Sequence, residues 1–183
     1  EDIPELNHKD ESNKTTSIHI IAGKINTISS LKPTPNSWAA NPNNLVSVFT
    51  IKMEAGANWT LPKTSSEANR SVFFYKGDNI TIEDRIIISN QLIELEAGEN
   101  ITFQNVNKEA YFLILEGKPI GEPVAQYGPF VMNTQQEIKE AMSDYGKTQF
   151  GGWPWADKEV VHTREKGRFA LHSNGKEDIK KKQ

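Results

Sequence analysis

The run Glu122-Pro123-Val124-Ala125-Gln126-Tyr127-Gly128-Pro129-Phe130-Val131-Met132-Asn133-Thr134, followed at once by Gln135-Gln136-Glu137-Ile138-Lys139-Glu140-Ala141-Met142-Ser143-Asp144-Tyr145, decides how this chain is read. No periodic rule generates its first half, where Pro123, Gly128 and Pro129 interrupt any regular element. The second half is a helix. Thr134 with Glu137 three residues later is a capping box. Ile138, Ala141, Met142 and Tyr145 form an apolar stripe at helical spacing. Gly146 is the expected stop. The expected helix covers 134–146, and its stripe reads as a packing face rather than a ligand site.

Upstream, from Ser17 to about Glu116, the chain reads as short strands separated by turns. Leu45–Met53 alternates: Leu45, Ser47, Phe49, Ile51 and Met53 share one face, with Val46, Val48, Thr50 and Lys52 on the other. Ser17–Ala22, Trp59–Leu61, Arg70–Lys76, Asn79–Ile82, Arg85–Ser89, Gln91–Leu95, Ile101–Gln104 and Ala110–Glu116 are the other strands. Gly77-Asp78-Asn79, Ser89-Asn90 and Glu96-Ala97-Gly98-Glu99-Asn100 supply the turns. Strands so evenly spaced, with no helix between them, predict an all-β sandwich or barrel. Lys32–Asn44, with three prolines and four asparagines, is a loop without regular structure, expected to cover one mouth of the barrel or an inter-domain surface.

Composition narrows the function. The 183 residues suffice for one domain with a substantial core. The net charge of −3 offers no long-range attraction to nucleic acid or anionic membrane. With no cysteine, disulfides, zinc–thiolate sites and cysteine nucleophiles are excluded. No apolar stretch approaches the roughly 20 residues that span a bilayer, and residues 1–16 are a polar leader or linker rather than a signal peptide. Cytoplasmic is the expected location. The five Asn-Xaa-Ser/Thr triplets, at Asn13, Asn58, Asn69, Asn79 and Asn100, read as chance in a chain rich in Asn and Thr. Glu1-Asp2-Ile3-Pro4 has no initiator Met and reads like the middle of a linker, so the chain is expected to be a piece of a longer protein.

The block from Gly117 to Asp144 resembles the C-terminal signature of the pirin family, whose members are two-cupin proteins. Ile18-His19-Ile20-Ile21-Ala22-Gly23 is similar to the strand-then-glycine opening of the family's second cupin. The resemblance implies a cupin jelly-roll barrel over 17–150, one short helix, and an irregular extension over 151–183. A cupin holds its metal with a His-Xaa-His pair and a glutamate on one strand and a third His on a later one, a set suited to Fe(II), Mn(II) or Ni(II). The first half of that pattern reads here Gly56-Ala57-Asn58-Trp59-Thr60-Leu61-Pro62, continuing to Phe73-Phe74-Tyr75-Lys76-Gly77. The second reads Leu95-Glu96-Ala97-Gly98-Glu99-Asn100-Ile101-Thr102-Phe103. The glycines and the proline fit the skeleton, and no histidine does. His8, His19, His162 and His172 show neither His-Xaa-His nor i, i+4 spacing, and His19 reads as a half-buried strand histidine. Glu67 is a lone loop glutamate. No catalytic, cofactor-binding or metal-ligating residue is therefore assigned to this chain, and Fe(II) or another divalent metal is expected in an N-terminal cupin half that is absent.

What the resemblance implies for function is divided between quercetin 2,3-dioxygenase activity and iron-dependent partnership with protein regulators. Both lean on the metal of the N-terminal half. The leading expectation is thus a structural and interaction domain that buttresses that half. The alternatives are the accessory half of a dioxygenase and a small-molecule-binding barrel lined by Trp59, Phe74 and Tyr75. The expected partner is the N-terminal cupin half of the same protein, with a homodimer or a protein regulator as other partners. Direct nucleic-acid and membrane contacts are not expected. The Trp38 loop and Trp153/Trp155 are candidate contacts, Phe130, Val131 and Met132 are expected core plugs, and Lys180-Lys181-Lys182 reads as a solvated terminus.

Overall fold

The computed structural model describes residues 3–155, 158 and 161–179. Contacts divide it into two units, residues 1–120 and 121–183, so the boundary falls within the expected 17–150 domain. The first unit carries twelve strands: β1 (Glu5–Lys9), β2 (Thr15–Ala22), β3 (Lys24–Ile25), β4 (Ile28–Ser29), β5 (Ser47–Met53), β6 (Asn58–Leu61), β7 (Asn69–Lys76), β8 (Asn79–Ile82), β9 (Arg85–Ile88), β10 (Gln91–Glu96), β11 (Ile101–Asn105) and β12 (Ala110–Gly117). Six form one sheet in the order β1-β2-β5-β12-β7-β10, and four form a second in the order β6-β11-β8-β9. All pairings are antiparallel. The fold is mainly β, and its two sheets are those of a jelly roll.

Alternation explains the core. On β5, Ser47, Phe49, Ile51 and Met53 are buried while the residues between them are not. β12 buries Ala110, Phe112, Ile114 and Glu116 in the same way. Phe74 stacks on Phe112 with ring centroids 4.8 Å apart, Phe103 meets Phe112 edge-on at 5.8 Å, and Trp59 lies 5.8 Å from Phe103. Trp59 and Phe74 are therefore core residues, and Tyr75, one step out of phase with Phe74, is exposed. The expectation that these three line a barrel mouth is overturned by that phase. Gly77 is required where it stands: its φ is +139°, and a Cβ there would lie 2.8 Å from the Phe74 ring.

The leader is not a leader. Residues 5–9 form β1, an edge strand paired with β2 from Glu5↔His19 to Lys9↔Thr15. Its pattern was hidden because only Leu6 packs against the core. Asp10 closes the turn after it. Its Oδ1 accepts from the N–H groups of Ser12 and Lys14, and its Oδ2 from that of Asn58 on β6. The 32–44 loop contains two 3₁₀ turns, Trp38–Ala40 and Pro42–Asn44, capped by Ser37 and Asn41.

The second unit holds a hairpin, β13 (Ala125–Tyr127) and β14 (Phe130–Met132), turning at Gly128-Pro129. Val131 is exposed and Phe130 and Met132 only half-buried, so the three are not core plugs. The helix α1 (Gln135–Thr148) begins with the predicted capping box at Thr134 and Glu137. It runs through Gly146, and the left-handed residues that end it are Gln149 and Phe150. Of the stripe, Ile138 and Ala141 are buried, while Met142 and Tyr145 stay exposed, Tyr145 meeting Phe130 and Phe150 edge-on. The extension is not wholly irregular: β15 (Phe169–Leu171) and β16 (Glu177–Ile179) pair as a hairpin. Lys180-Lys181-Lys182 lies outside the described residues. Among the described residues no helix is long and apolar enough to cross a membrane.

The Asp10 clip titrates. The backbone N–H groups it accepts, that of Asn58 foremost, hold its carboxyl below the ordinary 3.8. A depressed folded-state acid contributes stability above its unfolded value and loses it as pH falls through the lowered one. Wild type is therefore expected to exceed Asp10→Asn in urea stability at neutral pH, with the gap closing as pH drops below 3.8. Parallel urea melts across that range check it.

Candidate functional site

The two cupin-like stretches converge on one side chain. Alternation on β7 turns Arg70, Val72 and Phe74 inward, and on β12 it turns Glu116 inward opposite Arg70. Both side chains are buried, with 0% and 3% of their surface exposed. Arg70 Nε donates to Glu116 Oε2 at 2.5 Å. Its Nη2 donates to the carbonyl of Pro62 at 2.9 Å and lies 3.4 Å from Thr64 Oγ1. Its Nη1 donates to the carbonyl of Glu99 at 3.3 Å. The Thr64 hydroxyl donates to Glu116 Oε1 at 2.6 Å. Pro62 closes the stretch that begins at Gly56, and Glu99 lies in the stretch that begins at Leu95. A fixed organic cation thus stands where the two halves meet, and both carboxylate oxygens facing it are occupied.

This surrounding does not fit a divalent metal. The donors are two carbonyls, a hydroxyl and one carboxylate already matched to a guanidinium, and a metal would have to share the space with that positive charge. Among the described residues no three of His, Cys, Asp and Glu gather as a ligand set. His19 faces outward, 3.7 Å from Glu5 and 3.5 Å from Thr50 Oγ1, and is about half exposed. His8 is exposed on β1. His162 meets Phe169 edge-on, and His172 pairs with Asp178 at 2.8 Å. Glu67 pairs with Lys118 at the surface. Two residues past the second stretch, the buried amide of Asn105 donates to the carbonyls of Met53, Glu54 and Lys108 and ties the β11–β12 turn to β5.

Outside the core, the six-stranded sheet shows an apolar patch. Leu92, Phe73 and Leu113 stand opposite one another across β10, β7 and β12. Leu92 is 55% exposed and Phe73 and Leu115 37% each. Trp38 is 41% exposed, and its indole N–H donates to the Lys118 carbonyl and tethers the loop. In the second unit Trp153 and Trp155 lie 4.7 Å apart, and with His162, Phe169 and Leu171 they line a shallow hollow.

The family model for the pirin C-terminal cupin domain matches residues 48–151, more than half of the chain. The chain belongs to the pirin family. A pirin-like protein of Solanum lycopersicum is 34% identical over 107 residues, 56% of this chain and 36% of that protein. Rattus norvegicus pirin is 46% identical over 57 residues, 30% of this chain and 20% of that protein. Among solved structures, a quercetin 2,3-dioxygenase from Acinetobacter baumannii aligns with a TM-score of 0.65 at 27% identity, over 82% of this chain and 48% of that one. The chain spans half or less of the length of the pirin relatives it matches.

The buried pair that sequence reasoning missed is Arg70 and Glu116. Their signal was available: each is a charged residue on the inward phase of an otherwise apolar strand, Arg70 before Val72 and Phe74, Glu116 after Phe112 and Ile114. Removing one partner of such a pair leaves the other buried and uncompensated. Arg70→Met is expected to cost about 3–5 kcal/mol, and Arg70→Met with Glu116→Leu to recover most of it. Urea unfolding of the three proteins followed by circular dichroism measures both.

Proposed function

We propose that this chain is the metal-free C-terminal cupin of a pirin-type protein and serves as the structural and interaction half beside a metal-bearing N-terminal cupin. One observation carries the reading: the buried Arg70 guanidinium, paired with Glu116, fills the meeting point of the two cupin stretches with an organic cation. Fe(II) or another divalent metal then belongs to the other half. The length of the relatives supports the same division. The outward row Leu92, Phe73 and Leu113 is the surface proposed for that half, since an exposed contiguous apolar patch is the mark of an interface. The setting proposed is cytoplasmic.

A second reading follows from the likeness to a quercetin 2,3-dioxygenase. In it, this chain is the accessory half of an enzyme of that kind, and the reacting groups lie elsewhere.

Elemental mass spectrometry after incubation with Fe(II) is expected to find near-zero stoichiometric metal. About one iron per chain would overturn the metal-free reading. Mixing with a separately produced N-terminal half is expected to give a stable complex, weakened at least about tenfold by Phe73→Glu with Leu92→Glu. Quercetin turnover that appears only on mixing selects the second reading. No association at all overturns both.

A further inference from the structure

We infer that the cleft between the β3–β4 hairpin, the 31–46 segment and the ends of β5 and β12 binds an amphipathic carboxylate, an aliphatic body with one anionic head. The cleft encloses about 580 Å³, within the roughly 300–1,000 Å³ of small-molecule sites. Its walls are aliphatic: Ile21, Leu31, Pro33, Ala40, Leu45 and Val46. Its one carboxylate, Glu116, is already neutralised by Arg70 and Thr64. Lys24 and Lys32 also line it, and neither has an acidic partner among the described residues. The uncompensated charge of the cleft is therefore positive, beside an apolar wall. Two separate lysines, with no arginine fork, suit a single anionic head rather than a phosphate cradle.

The cleft is preformed. Asn44 Nδ2 donates to the Trp38 carbonyl at 2.7 Å, Lys118 N–H to the Asn44 carbonyl at 2.8 Å, and the Trp38 indole to the Lys118 carbonyl at 3.3 Å. These bonds pin the 38–44 segment to the end of β12. Leu45, on the wall, is held at φ +55°, a conformation a branched side chain rarely adopts; such backbone is kept only where surrounding structure enforces it. Gly23, at φ +83°, lets the hairpin lie flush on β5, where a Cβ would meet Ser47 Oγ and the Val46 carbonyl at 2.4 and 2.6 Å. Ordered walls with aliphatic lining and two unpaired cations are the parts of a site for a fatty-acid-like anion. This inference stands apart from the metal-free reading, since it uses neither the N-terminal half nor the outward sheet face.

The test uses decanoate, with decanol as its uncharged counterpart, titrated into the full chain and followed by amide NMR shifts and calorimetry. The expected result is one saturable site with shifts at Ala22, Gly23, Ala40, Val46 and Ser47. Lys24→Glu with Lys32→Glu should weaken decanoate about tenfold, as expected for two exposed charge contacts reversed together, and leave decanol unchanged. Ala40→Trp should fill the cleft and abolish binding of both, with the unfolding transition as control. Shifts without saturation, shifts centred elsewhere, decanoate binding that survives Ala40→Trp, or equal losses for decanoate and decanol in the charge-reversal variant would each overturn the proposal.

Discussion

Burying a guanidinium constrains everything around it. The desolvation of Arg70 is offset only if acceptors sit where its fork points, and in this fold they come from four segments: the end of β6 at Pro62, the following loop at Thr64, the β10–β11 turn at Glu99, and β12 at Glu116. Two of these are carbonyls of turn backbone. The turns are shaped to present them, helped by Thr64 N–H donating to the Ala97 carbonyl and Lys63 N–H to Asn100 Oδ1. Through the carbonyls that follow β6 and precede β11, the guanidinium couples the two sheets at one end of the β unit, while the Phe74, Phe112, Phe103 and Trp59 cluster fills the middle. Asn105 closes a third corner with three carbonyl contacts. Packing supplies most of the stabilisation, and the polar clamps fix which packing is adopted.

The strands were legible because their physics is local. Period-2 alternation with Gly, Asn and Asp turns placed the central strands to within two residues at either end. β1 was not legible, because an edge strand with one inward apolar residue carries almost no pattern and owes its form to hydrogen bonds from β2. The capping box was legible, since Thr134 and Glu137 satisfy each other across one turn; the stop at Gly146 was not, because glycine permits a left-handed residue without compelling one. The family block from Gly117 to Asp144 marked the family but none of the site. The site rests on Arg70 and Glu116, which are 46 residues apart in sequence and meet only through the register of β7 and β12.

The same register explains why the pattern of a cupin metal site is kept while its chemistry is replaced. Gly56 and Gly77 maintain the turns around the first stretch, and the strand between them keeps its inward phase. What changes is the charge delivered to the meeting point. A divalent ion gathers neutral imidazoles and carboxylates and leaves open positions for reactants. The Arg70 guanidinium instead gathers two backbone carbonyls, the Thr64 hydroxyl and one carboxylate.

Aromatic rings and the Arg70–Glu116 pair occupy the core of the β unit, and recognition is proposed at its surface. Two surfaces of the β unit are built for it in different ways. The outward row on β10, β7 and β12 is apolar and carried by paired backbone, and it is the face proposed to meet another folded body. The cleft beside the 31–46 segment is concave, with aliphatic walls and two lysines that have no acidic partner among the described residues, and it is the face proposed to meet a small molecule. Glu116 connects that cleft to the core: one carboxylate both holds Arg70 and forms part of the cleft lining. Its loss would therefore disturb the core and the cleft together, whereas Lys24 and Lys32 bear on the cleft without touching the ion pair.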